Sequence, residues 1–322
     1  MSKIVNFSVV IPVYNVGEVL RKCLDSLLNQ PFNDYEIILV NDGSTDCKTI
    51  EICEEYGKSK SIIRLFNKPN GGCIDARRYG TLQSKGKYIT YGDGDDFFAE
   101  DYIQILHDAV RHPADLYIFN NFLNYIGKEE FYREKSLPKS GYVDLDWVFE
   151  EFLSVRMNAV WDKIYRRALF GEKVDIIPEN IIFGDDTYLN NMYLSKIKTV
   201  YVYDAAIYYH YIDSKSSVCS SEVTFKNLED ISVVFDSLSV LKELPYFTKK
   251  REEAFKDFHY GYYTRAIIAL SQKGLCKSEI NSQIMNKNIM NNIQPFKASS
   301  FRGAIYRLIL KYGWYKFATL IS

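Results

Sequence analysis

The chain has 322 residues, of which 47% are hydrophobic and 25% charged, enough to fill the core of one large domain or two modest ones. Its net charge of −1 is not that of a general nucleic-acid binder, so no nucleic acid is expected as a partner. No run of 18 apolar residues predicts a transmembrane helix, and residues 1–20 lack the basic start and apolar core of a signal peptide.

Residues 7–13 are apolar and β-branched and predict a buried strand, with Pro12 marking where sheet pairing stops. Tyr14-Asn15 is its exit loop. Leu20, Cys23, Leu24, Leu27 and Leu28 then recur at helical spacing. Residues 35–40 predict a second strand. In its exit loop, residues 41–46, Ser44 or Thr45 is expected to cap the helix of Ile50, Cys53 and Tyr56. Residues 62–66 predict a third strand, Asn70-Gly71-Gly72 a turn, and residues 75–84 a helix. A strand over 87–91 enters Gly92-Asp93-Gly94-Asp95-Asp96, and a helix over 101–110 leaves it. This alternation predicts an α/β fold, a mostly parallel sheet with helices on both faces. No G-x-G-x-x-G follows the first strand, so the usual dinucleotide fingerprint is absent. Further on, 116–120, 200–202 and 207–211 read as strands, 146–155 as a helix, and the chain from 225 as helices.

Asp93, Asp95 and Asp96 thus fall at the C-terminal end of a strand, the edge where open α/β sheets bind ligands. Crowded carboxylates need a cation or full solvation. Oxygen ligands of this kind suit Mn²⁺ or Mg²⁺; a solvated acidic turn is the competing reading. The six cysteines form no C-x-x-C pair and read as reduced thiols of a cytoplasmic protein. From Lys242 onward there are 14 Lys+Arg against 5 Asp+Glu, so an acidic front precedes a basic tail.

Taken in order, these motifs resemble the family 2 glycosyltransferases of the GT-A fold. Val10-Ile11-Pro12-Val13-Tyr14-Asn15, residues 40–46, Asn70-Gly71-Gly72 with Ala76-Arg77, and Asp93-Gly94-Asp95-Asp96 resemble the donor-side segments. Trp161-Asp162-Lys163-Ile164-Tyr165 and Gly184-Asp185-Asp186 resemble the acceptor-side segments of bacterial polysaccharide members. The resemblance covers residues 7–215 and implies a Rossmann-like GT-A domain over 1–220. Within it, 1–112 would bind the nucleotide-sugar and 113–220 the acceptor, with 221–322 a helical, basic extension. It implies an inverting, metal-dependent transfer from a UDP-sugar to a saccharide or lipid-linked saccharide acceptor in surface polysaccharide synthesis. Asp42 would contact uracil, Pro12, Val13 and Tyr14 would line the base pocket, and Asp93 would lie near the ribose. Asp95 would hold the metal ion and Asp186 would be the general base. Asn15, Asn70, Gly71, Arg77, Gly94 and Lys163 complete the expected donor site.

Simpler roles compete at several positions. Asp42 is also an ordinary turn residue, and Asp185-Asp186 also an ordinary helix start. Arg77 binds phosphate or covers a helix face. Lys163 meets the diphosphate or an acceptor, or is a solvated lysine. His210, among tyrosines, reads as structural rather than as a metal ligand. Asp75 and Arg78 depart from the family pattern Ala-Arg-Asn with a small residue before it, and are expected to pair or to reshape the donor pocket. A nucleotide-sugar-binding module without activity and a nucleotidyltransferase are the rival classes. The latter lacks its Gly-rich basic loop at residues 14–18. Residues 300–321 place apolar and basic side chains at near-helical spacing, the pattern of a helix lying on an anionic membrane at the inner face of the cell membrane, or docked on the protein itself.

Overall fold

A computed structural model describes residues 5–125, 132–133, 137–154, 157–172, 174, 181, 184–212, 224–273, 278–279 and 282. The chain runs β1 (Phe7–Val13), α1 (Val19–Leu28), β2 (Tyr35–Asp42), α2 (Cys47–Ser59), β3 (Ile63–Lys68), α3 (Cys73–Gln83), β4 (Tyr88–Tyr91), β5 (Phe97–Phe98) and α4 (Tyr102–Ala109). It continues with β6 (Leu116–Tyr125), β7 (Tyr132–Arg133), β8 (Gly141–Val143), α5 (Leu145–Leu153), β9 (Lys163–Arg166), α6 (Asp185–Leu194), β10 (Val200–Ile212), α7 (Phe225–Asp236) and α8 (Lys249–Gln272). Two compact units result. The first comprises Met1–Leu145, Ala159–Ile181 and Lys196–Ser217; the second comprises Asp146–Asn158, Ile182–Ser195 and Val218–Ser322.

The first unit is built on one sheet of order β3-β2-β1-β4-β9-β6-β10-β5, with β7 beside β6 and β8 beside β10. Strands β1–β4 pair in parallel, as do β6 and β10. Short antiparallel pairings insert β9 between β4 and β6 and set β5 at the edge. Both faces of β1 and β2 are covered, which is why they read as unbroken apolar runs. Val9, Ile11 and Val13 join Leu20, Cys23, Leu24 and Leu27 of α1 and Ile52 and Cys53 of α2 in one core. The alternate residues face α3. There Gly80 lets the helix approach so closely that a Cβ would lie 2.4 Å from Val10 Cγ1 and 3.2 Å from Val40 Cγ2.

Three local expectations are corrected. Pairing does not stop at Pro12, which matches Val40, and Val13 matches Asn41. The Val10 carbonyl accepts from Gly92 N–H on the β4 side, where pairing ends at Val10 and Tyr91. By strand alternation the proline nitrogen faces that same side, beyond β4, and no ladder bond is lost. Helix α2 is capped by Asp46, which accepts from Lys48 and Thr49 N–H at 3.0 Å. Ser44 and Thr45 are instead engaged by Asn15: their hydroxyls accept from its N–H and Nδ2 at 3.2 Å. The two pieces read at 200–202 and 207–211 are one strand, irregular in register between Val202 and Tyr208.

The second unit contains α5, α6, α7 and α8. Arg251 of α8 holds α5 through Asp146, at 2.8 and 2.9 Å, and Glu150, at 2.8 Å. On α6, Asn191 donates to Ser237 at 2.9 Å, and Asn190 donates to the Asn158 carbonyl at 2.6 Å. Residues 300–321, read above as an amphipathic tail, lie outside the described residues.

Candidate active site

The β2, β3 and β4 exits and the start of α3 converge at the C-terminal edge of the sheet. Asp42 ends β2 and is 2% exposed. Its Oδ1 accepts from Lys68 Nζ at 2.5 Å and Gly71 N–H at 3.0 Å, and its Oδ2 from Gly72 N–H at 2.8 Å. It is therefore a buried acceptor that organises the 70–72 turn, where Asn70 lies against Gly43. Helix α3, which starts there, also carries Arg77, 3% exposed, whose Nη2 reaches Asp93 Oδ1 at 2.8 Å. Arg77 covers no helix face: it is buried and faces an acid of the β4 loop. Asp75 pairs with Lys68 at 2.7 Å.

The loop after β4 is held from several sides. Asp93 N–H donates to the Tyr208 hydroxyl at 2.7 Å. Asp96, buried, accepts from Tyr211 N–H at 2.8 Å and faces His210 Nδ1 at 2.9 Å. Burial opposes charge on His210, but the hydrogen bond to Asp96 and the charges of Asp96, Asp93 and Asp95 outweigh it and push the imidazole up to about 9. His210 also stacks on Trp161 at 5.3 Å. Gly94 packs near Val13, Leu20 and Val16, at 3.4–3.5 Å from where a Cβ would stand.

Among the described residues no group of three His, Cys, Asp or Glu side chains is arranged to hold a metal ion by itself. Asp95 nonetheless fits a divalent cation that completes its shell with substrate oxygens. Asp93 faces Arg77 and Asp96 faces His210, while no described cationic side chain lies within ion-pair distance of Asp95. Its surface is exposed, yet the surrounding protein, then the charges of Asp93 and Asp96, push its carboxyl up to about 6. A carboxylate in that position gains from a neighbouring cation.

Other expected site residues divide. Tyr14 is 49% exposed at the β1 exit. Asn15, at φ 52°, ties that exit to residues 44–46, its Oδ1 accepting from Thr45 and Asp46 N–H at 2.8 and 3.0 Å. Val13 is 1% exposed with its side chain in the core, so only its backbone lies along the edge. One reading of Lys163 is corrected: it is not a solvated lysine. Its side chain and that of Asp162 are 0% exposed, with Nζ 2.6 Å from Asp162 Oδ1 and 2.5 Å from the Ala159 carbonyl. In the second unit, Asp185 and Asp186 occupy the first turn of α6 after Gly184, at φ 79°. A Cβ at 184 would also lie 2.8 Å from Val234 Cγ2, so only glycine suits both backbone and packing. Lys68, Tyr208 and Tyr211 have no signal in the sequence, because their roles come from strands that register alone brings to this edge.

The family model for glycosyl transferase family 2 matches residues 8–186, more than half of the chain. The glycosyltransferase GlyG of Streptococcus pneumoniae is 30% identical over 241 residues, covering 71% of this chain and 77% of that protein. GlyA of the same organism is 34% identical over 207 residues, 61% of this chain, but the match spans only 29% of GlyA. The crystal structure of S. aureus TarS 1-349 in complex with UDP-GlcNAc superposes with a TM-score of 0.67 at 19% identity, over 96% of this chain and 92% of that one. That likeness is one of fold, the GT-A arrangement. Sheet, acidic loop and family match agree, and the chain belongs to glycosyl transferase family 2.

Proposed function

We propose that the protein is an inverting, metal-dependent glycosyltransferase that moves a sugar from a UDP-sugar to a saccharide acceptor, lipid-linked, in surface polysaccharide synthesis. The observation that carries it is the row of carboxylates at one sheet edge: Asp42 accepts from Gly72 N–H at the start of α3, Arg77 of the same helix pairs with Asp93, and Asp95 stands two residues on in the same loop. Asp42 contacts the uracil and Tyr14 covers the base. Asp93 meets the ribose, with Arg77 fixing its carboxylate. Asp95 holds Mn²⁺ or Mg²⁺, which when bound stabilises the charge growing on the leaving diphosphate. Asp186 accepts the proton of the attacking sugar hydroxyl. Attack from the side opposite the leaving group inverts the anomeric carbon.

TarS, which shares the fold, was crystallised with UDP-GlcNAc and with UDP, and this supports a nucleotide-sugar donor. No described helix is long and apolar enough to cross a membrane; peripheral contact through the basic residues 300–321 remains part of the proposal. The test is thermal unfolding of the chain with UDP-sugars, with Mn²⁺ or with EDTA. A ligand that binds the folded state at 100 times its Kd adds ~2.7 kcal/mol of stability. Protection by a UDP-sugar that EDTA or Asp95→Ala removes is expected. Equal protection with and without metal defeats the metal assignment.

A further inference from the structure

On the reading of Asp42 as the uracil contact, we propose that Lys68 and Asp75 are a positioning pair that sets nucleobase selectivity by leaving Asp42 one fixed acceptor position. Lys68 comes from the end of β3, Asp42 from the end of β2, and Asp75 from the first turn of α3. Lys68 Nζ reaches Asp42 Oδ1 at 2.5 Å, Asp75 Oδ2 at 2.7 Å and the Pro69 carbonyl at 2.7 Å. An ammonium has three N–H groups, and here all three have acceptors. The Lys68 and Asp42 side chains are 11% and 3% exposed, so water competes little.

A carboxylate offers roughly four lone-pair positions. On Asp42, Oδ1 spends two on Lys68 and Gly71 and Oδ2 one on Gly72. What remains is a single acceptor position on Oδ2, in a group that cannot rotate without breaking bonds to both glycine amides. Uracil presents an N3–H donor to such a group. Cytosine presents a lone pair at N3 and is repelled. A carboxylate free to turn would reach the cytosine amino group instead, so rigidity is what separates the bases. Gly71 belongs to the same device. A Cβ there would lie 2.3 Å from Asp75 Oδ2 and 2.9 Å from Lys68 Nζ, so the ion pair fills the space a side chain would need. Asp75, the departure from the family pattern, thus bears on the base rather than on the sugar.

The test is calorimetric binding of UDP and of CDP to the full chain with Mn²⁺. It compares the wild type, Asp75→Asn, Asp75→Glu and Lys68→Met, and repeats the isosteric Asp75→Asn in an Asp42→Asn background. Asp75→Asn is expected to weaken UDP about tenfold and CDP less, narrowing their ratio, with Asp75→Glu recovering part of the loss. In turnover the loss is carried by KM rather than kcat. In the Asp42→Asn background the effect of Asp75→Asn disappears, because both act through one carboxylate. An unchanged UDP/CDP ratio, or an effect that persists without Asp42, overturns the positioning role while leaving the UDP-sugar reading intact. A wild-type chain that does not bind UDP overturns both.

Discussion

Lys163→Met is expected to destabilise the first unit by ~3–5 kcal/mol. Both members of the Lys163–Asp162 pair have side chains at 0% exposure, with the ammonium 2.6 Å from Asp162 Oδ1. Removing the ammonium deletes the Lys163 contribution to balancing the Asp162 charge in the interior, and the uncompensated part of that charge's desolvation is the main cost. For a domain of 150–250 residues, each kcal/mol lowers Tm by ~2–4 °C, so the fall should be ~6–20 °C. Lys163→Met combined with Asp162→Asn removes both charges and should recover much of the loss, a strongly non-additive cycle. Tryptophan fluorescence reports the melt, since Trp161 stacks on Tyr208 at 4.7 Å beside the pair. The same variants are assayed for KM toward the UDP-sugar below their melting range. An unchanged Tm with a raised KM would refute the reasoning and return Lys163 to the substrate.

Asp186→Asn is expected to lower kcat by ~10²–10⁴-fold, the usual worth of a general base, while UDP still binds with metal. Loss of turnover in Asp185→Asn instead would move the base by one residue. Burial in α8 pushes the His259 imidazole down from 6.5 to about 4, opposed by its Nδ1–H bond to the Phe255 carbonyl at 2.8 Å. The folded chain keeps His259 neutral where the unfolded chain protonates it. Its contribution is therefore whole above pH 6.5 and lost as pH falls from there to about 4, in total ~3 kcal/mol. His259→Phe should show a shallower fall of Tm between about pH 7 and pH 4 than the wild type; parallel curves would refute it.

The sequence by itself determined the layers of the first unit and the place of its ligand edge. Short, β-branched apolar runs such as Phe7–Val13, bounded by loops, read as strands covered on both faces. The spacing of Leu20, Cys23, Leu24 and Leu27 can only be one face of a helix. Local patterns of this kind act over a few residues, so they are legible in order along the chain, and so is the acidic loop that follows β4. What only the tertiary structure decided is which group neutralises which. Lys163 reads equally as a diphosphate or acceptor contact and as a solvated lysine until β9 slots between β4 and β6 and buries it against Asp162. His210 reads as one residue in a run of tyrosines until β10 brings its imidazole and Tyr211 N–H, 114 and 115 residues beyond Asp96, onto that carboxylate. Asp42 lies a helix and a strand before Lys68 and Asp75, and meets them because parallel register puts the β2 and β3 exits side by side at the edge where α3 starts. Electrostatic partners depend on distance in space, and sequence spacing carries no record of it across a sheet.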